Sequence, residues 1–67
     1  MNLDFKYGLG SRVVMVEAKI AGWVDRVAYG LEFGHEYRVI FWHDGQRRAE
    51  WVYERELQRD DRDQLAG

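Results

Sequence analysis

The sequence predicts an all-β domain of about five short antiparallel strands, rolled into a small barrel, with a single short helical turn near residues 53–56. Three observations carry this. The run Tyr37-Arg38-Val39-Ile40-Phe41-Trp42-His43 ends in Asp44-Gly45, and a second strand-like run, Arg47 to Val52, follows at once. Two such runs around Asp-Gly are a strong local signal for a hairpin. Arg12 to Glu17 is too short and too β-branched for a stable helix. Trp23 to Tyr29 adds a third run of strand-forming residues.

Taken in order, residues 1–9 form a lead-in, in which Phe5 and Tyr7 lie two apart and close one end of the core from the same side. The first strand is Arg12 to Glu17, with Val13 and Met15 on one face and Val14 and Val16 on the other. Ala18 to Gly22 is assigned as a turn, because Lys19-Ile20 interrupts the pattern and Gly22 permits a positive φ. In the second strand, Trp23 to Tyr29, Val24 and Val27 share a face only if the strand carries a bulge near Asp25-Arg26. Gly30 to Glu36 is a loop.

In the third strand Tyr37, Val39 and Phe41 form a wholly apolar face, assigned to the core. Arg38, Ile40 and Trp42 lie on the other face, where Ile40 and Trp42 need cover from another strand, the tail or a partner. The fourth strand, Arg47 to Val52, places Arg47, Ala49 and Trp51 on one side and Arg48, Glu50 and Val52 on the other. Tyr53 to Glu56 is a helical turn, and Leu57 caps the core or opens a very short last strand. Residues 10–58 thus make up the barrel. Residues 59–67 read as a disordered acidic tail, charged and with Leu65 as its one large apolar residue.

Composition bounds function. Sixty-seven residues suit a single domain, and one of that size buries only about 60% of its unfolded surface. The chain has no cysteine, so neither disulfides nor thiolate-bound zinc staple it. Two histidines are too few for an all-histidine metal site, and no cofactor is expected. Stability therefore rests on the core, to which three tryptophans, four tyrosines and three phenylalanines contribute large areas. No run approaches the roughly 20 apolar residues of a membrane span, and Met1 to Tyr7 lacks the pattern of a signal peptide, so a soluble, cytoplasmic protein is expected. The net charge of −2 comes from Asp60, Asp61 and Asp63 outweighing Arg62, which leaves residues 1–59 balanced. A phosphate-contacting protein usually shows a basic excess, so this balance counts against nucleic acid.

The strand order resembles the SH3-like small barrel in its Tudor or KOW-like branch. Gly10 to Val16 and Gly22-Trp23-Val24 are similar to its first two strands, and Tyr37 to Gly45 is similar to its Y-x-V-x-F/W-x-D-G strand and turn. Trp51-Val52-Tyr53-Glu54-Arg55-Glu56-Leu57 resembles the closing V-x-x-x-x-L segment. The likeness covers about residues 10–58 and is more specific for architecture than for role, because such barrels host many functions. It implies a bacterial or phage protein that binds peptides, methylated side chains or nucleic acid. For a methyl-lysine cage, the nearest residues are Trp23, Tyr29, Phe41, Trp42 and Asp44.

Catalysis finds little support. Gly8-x-Gly10 falls far short of a dinucleotide fingerprint, Ser11 is the single serine, and His43 beside Asp44 sits at a hairpin turn, where histidines are commonly just exposed. A barrel this small is also filled by its own side chains. Two binding readings remain. In the first, which leads, a protein partner or a second copy docks on Trp23, Phe33, Ile40, Trp42 and Trp51, aromatics and apolars beyond what a thin barrel must bury. In the second, Arg38, Arg47 and Arg48 converge beside Trp42 and hold single-stranded nucleic acid by stacking and phosphate contact. Against it, Glu36, Glu50 and Glu54 lie among the same strands and are available to pair with those arginines.

Overall fold

The structure, a computed structural model, describes residues 5–60. Its elements run β1 (Arg12–Met15), β2 (Ile20–Ala28), β3 (Glu36–His43), β4 (Gln46–Tyr53), a 3₁₀ turn (Glu54–Glu56) and β5 (Leu57–Arg59). All neighbours are antiparallel and the order across the sheet is β4-β3-β2-β1-β5, an arrangement compatible with an SH3-like small β fold. The sheet does not close into the expected barrel, because β4 and β5 both remain edges.

The β3–β4 hairpin forms as the sequence predicts. His43 pairs with Gln46 around the two-residue loop Asp44-Gly45, whose φ angles of 53° and 74° are those of a type I′ turn. That turn matches the right-handed twist of the flanking strands. The expected bulge also forms: Val24 pairs with Val39 and Arg26 with Arg38, so Asp25 is the extra residue. Its effect is on facing. A regular strand would have turned Arg26 inward opposite Tyr37, whereas the bulge puts Val27 there.

The first turn departs from expectation. β1 stops at Met15, the turn spans Val16 to Lys19, and β2 begins at Ile20. Lys19, at φ 59°, supplies the left-handed residue that had been expected of Gly22. Gly22 instead lies within β2, opposite Val13. A Cβ there would sit 2.3 Å from the Ile40 carbonyl oxygen and 2.8 Å from a Val39 methyl, so the missing side chain is what lets β3 press against β2.

The inner face of the sheet holds the core: Val13, Met15, Val24, Tyr37, Val39, Phe41 and Leu57, with Tyr7 from the lead-in. Phe5, Ile20, Val27 and Val52 pack around it. Tyr7 meets Tyr37 edge-on with ring centroids 5.4 Å apart, and its hydroxyl donates to the Leu57 carbonyl at 3.3 Å. Phe5 packs on His35 (4.2 Å) and edge-on to Tyr37 (5.9 Å), so the lead-in closes one end of the core. Arg59 and Asp60, assigned above to the tail, belong to the fold: Arg59 pairs with Val13, and the Asp60 amide donates to the Arg12 carbonyl. Residues 61–67, the rest of that tail, lie outside the described residues.

Candidate docking face

Directly opposed residues of antiparallel strands share a face, so the register lays out the outer surface of the sheet. One cross-strand row reads Arg12, Trp23, Ile40, Ala49. A second reads Arg26, Arg38, Trp51, and a third pairs Trp42 with Arg47. Trp42 is 61% exposed and Trp51 46%, while Ile40 between their rows is 3% exposed. Strand alternation produces this surface: the same period that sends Tyr37, Val39 and Phe41 inward sends Arg38, Ile40 and Trp42 outward.

The bulge at Asp25 gives the face a strong ion pair. Arg38 Nε donates to Asp25 Oδ1 at 2.9 Å, and the guanidinium's second arm donates to Oδ2. This fork holds the Asp25 carboxyl below the usual carboxylate range, and the same carboxylate raises the Arg38 guanidinium further. Arg12, Arg26 and Arg47 have no acid within ion-pair distance among the described residues. The face therefore carries four arginines against Asp25 and Glu36, a local basic excess on a chain whose net charge is −2.

The structure gathers some predicted residues and separates others. Trp23, Trp42 and Trp51 share the outer face, but Ile40 is its buried floor and presents no surface. Phe33 is 64% exposed in the loop after β2, with its ring 6.5 Å from that of Tyr53, which continues the outer face beyond Trp51. Of the arginines proposed for nucleic acid, Arg38 and Arg47 lie beside Trp42, whereas Arg48 opposes Phe41 on the inner side and donates to Gln46. Neither Glu50 nor Glu54 pairs with an arginine of the outer face: Glu50 opposes Val39 on the inner side, and Glu54 accepts from the Tyr37 hydroxyl. The cage residues do not converge, since Phe41 is buried inside while Trp42 points out and Asp44 is at the hairpin tip. Sequence reasoning missed Arg12 and Arg26. Their place beside Trp23 and Arg38 depends on cross-strand register, for which only the bulge gave a signal.

His43 Nε2 lies 3.4 Å from Asp44 Oδ2 at that tip, with both side chains more than half exposed. Among the described residues no three His, Asp or Glu side chains gather into a cation site, and no helix is long and apolar enough to cross a membrane. Compared with known families, curated proteins and solved structures, the chain finds no match.

Proposed function

We propose that this chain is a non-catalytic binding module of SH3-like kind, in the Tudor or KOW-like manner, which docks a protein partner on the outer face of its sheet. The observation that carries this reading is the pair Trp42 and Trp51, two indoles exposed on one face over the buried Ile40 and flanked by Arg38 and Arg47. Tryptophan and arginine around an apolar floor is the composition that dominates binding energy at protein interfaces. The excess of arginine favours a partner segment that carries acids.

A second reading has its own support. Arg12, Arg26 and Arg47 with three tryptophans also suit single-stranded nucleic acid, whose bases stack at about 1–3 kcal/mol each. Titration of labelled single-stranded DNA and RNA at two ionic strengths separates the two. Tight binding that weakens steeply with salt would replace the protein reading by this one. With no such binding, capture experiments compare the wild type with a Trp42→Ala/Trp51→Ala variant. A partner retained by the wild type, lost by the variant and little affected by salt is the expected result. Equal retention by both proteins would overturn the assignment of this face.

A further inference from the structure

β4 is an edge of eight residues, exposed on both faces from Gln46 to Trp51. The two-residue turn fixes which of its backbone groups are free. His43 and Gln46 close the hairpin as a hydrogen-bonded pair, and pairs then alternate along the ladder. Arg47, Ala49 and Trp51 therefore direct their N–H and C=O groups away from β3. An edge of this kind is a template for another strand.

The side chains of β4 select one strand in particular, namely β4 itself. Antiparallel self-pairing must match outward-directed residues with one another, which leaves a short series of registers. Centring the two-fold axis on Arg48 sets Arg48 against its own copy, and centring it on Glu50 does the same for Glu50, so both registers oppose like charges. An axis at Arg47 again opposes arginines, and one at Trp51 leaves Arg47 and Arg48 opposite the second copy's 3₁₀ turn, outside the paired strand. The axis at Ala49 behaves differently. It sets Arg48 against Glu50 of the second copy, and Glu50 against Arg48, on the inner side of the sheet. On the outer side it sets Arg47 against Trp51 of the second copy, a cation–π pairing, and again the reverse. Alanine, small enough for close approach, sits on the axis.

We propose that two copies of the chain pair antiparallel along β4 about a two-fold axis at Ala49, joining their sheets into one continuous sheet. Arg48 and Glu50 are free to serve as the register lock. Neither has an ion-pair partner within the described residues, and both face the open seam of the sheet, where clefts of about 320 Å³ and 220 Å³ flank β4. The interface is a single strand pair, at the small end of specific interfaces, so the dimer is weak and concentration-dependent. Pairing uses the backbone edge and leaves the indole of Trp42 open. It goes beyond the docking role proposed above and does not depend on it.

Sedimentation equilibrium of the full chain from about 1 µM to 1 mM tests the pairing. The wild type is expected to pass from monomer to dimer. Arg48→Glu and Glu50→Arg each oppose like charges twice and weaken the dimer roughly tenfold or more. Mixed in equal amounts, the two variants regain opposite charges at both pairs and form a heterodimer near wild-type strength. Ala49→Pro removes an amide that only the second copy uses, and abolishes pairing while far-UV circular dichroism keeps the strand signature. A wild type that stays monomeric at 1 mM overturns the proposal. A dimer indifferent to both reversals, or a mixture that fails to associate, overturns it as well. The pairing shares Arg47 and Trp51 with the outer face but leaves Trp42 open, so Trp42→Ala alone, which should leave the dimer intact, tests the docking reading separately.

Discussion

The Tyr37 hydroxyl donates to the Glu54 carboxylate and accepts from the Lys6 amide at 3.0 Å, so one core side chain ties β3 to both the lead-in and the 3₁₀ turn. Tyr37 is fully buried apart from that hydroxyl's partners. Tyr37→Phe keeps the ring and removes only the tie. It is expected to cost about 1–3 kcal/mol, since the bond is to a charged acceptor, and thermal or urea unfolding measures the loss.

The same bond sets an alkaline limit. Burial first, and the adjacent Glu54 second, push the Tyr37 hydroxyl from 10 up to about 12. The folded state thus holds its proton more tightly than the unfolded chain. This contribution to stability is complete below pH 10 and is lost as pH rises toward 12. Urea midpoints measured across that window should fall for the wild type and fall less for Tyr37→Phe. Equal slopes would remove Tyr37 as the cause.

Asp25 and Arg38 give the opposite limb. The guanidinium lowers the Asp25 pKa, so its contribution is present above the unfolded carboxylate range and fades as pH falls through the folded value. Asp25→Asn should flatten that part of the acid limb. It also frees Arg38 on the outer face. If nucleic acid were the ligand, the variant would bind labelled single strands more tightly than the wild type, with a steeper dependence on salt.

Two glycines predict different costs from the same substitution. At Gly22 a Cβ meets backbone and core within 3 Å, and Gly22→Ala should cost about 1–3 kcal/mol or fail to fold, as overpacking does. At Gly45 there is open space, and the cost is only that of holding φ at 74° with an L residue, about 1–2 kcal/mol. Denaturant titration of the two variants side by side reads the difference between a steric and a conformational demand.

Trp42→Ala should change stability by about 1 kcal/mol or less, because its side chain is largely in water, and Trp51→Ala, with the indole 46% exposed, should cost somewhat more. A much larger loss by differential scanning calorimetry would place these indoles in the core economy and remove the main support for the docking face.

Most of the strand pattern was legible because alternation and turn chemistry are local. Tyr37, Val39 and Phe41 declared the inner face by composition, Asp44-Gly45 declared the hairpin, and the clash of period between Val24 and Val27 declared the bulge. What stayed hidden depends on contacts between distant segments. Gly22 looks like a turn residue until Ile40 is placed over it. Ile40 looks like a contact residue until Trp23 and Ala49 flank it. Closure of the barrel was expected from the family likeness, but Arg48 and Glu50 put charge on the inner side of β4, where no further strand covers them.

The brevity of the Asp44-Gly45 loop also bears on how the gene can change length. Insertion or deletion of a single codon between Trp42 and Arg47 would slide β4 by one position and turn its pattern over, burying Arg47 and Trp51 on the side of Phe41 and presenting Arg48 and Glu50 beside Trp42. Descendant chains would therefore be expected to keep this hairpin at constant length, and to accumulate additions instead between Tyr29 and His35, where no ladder counts residues.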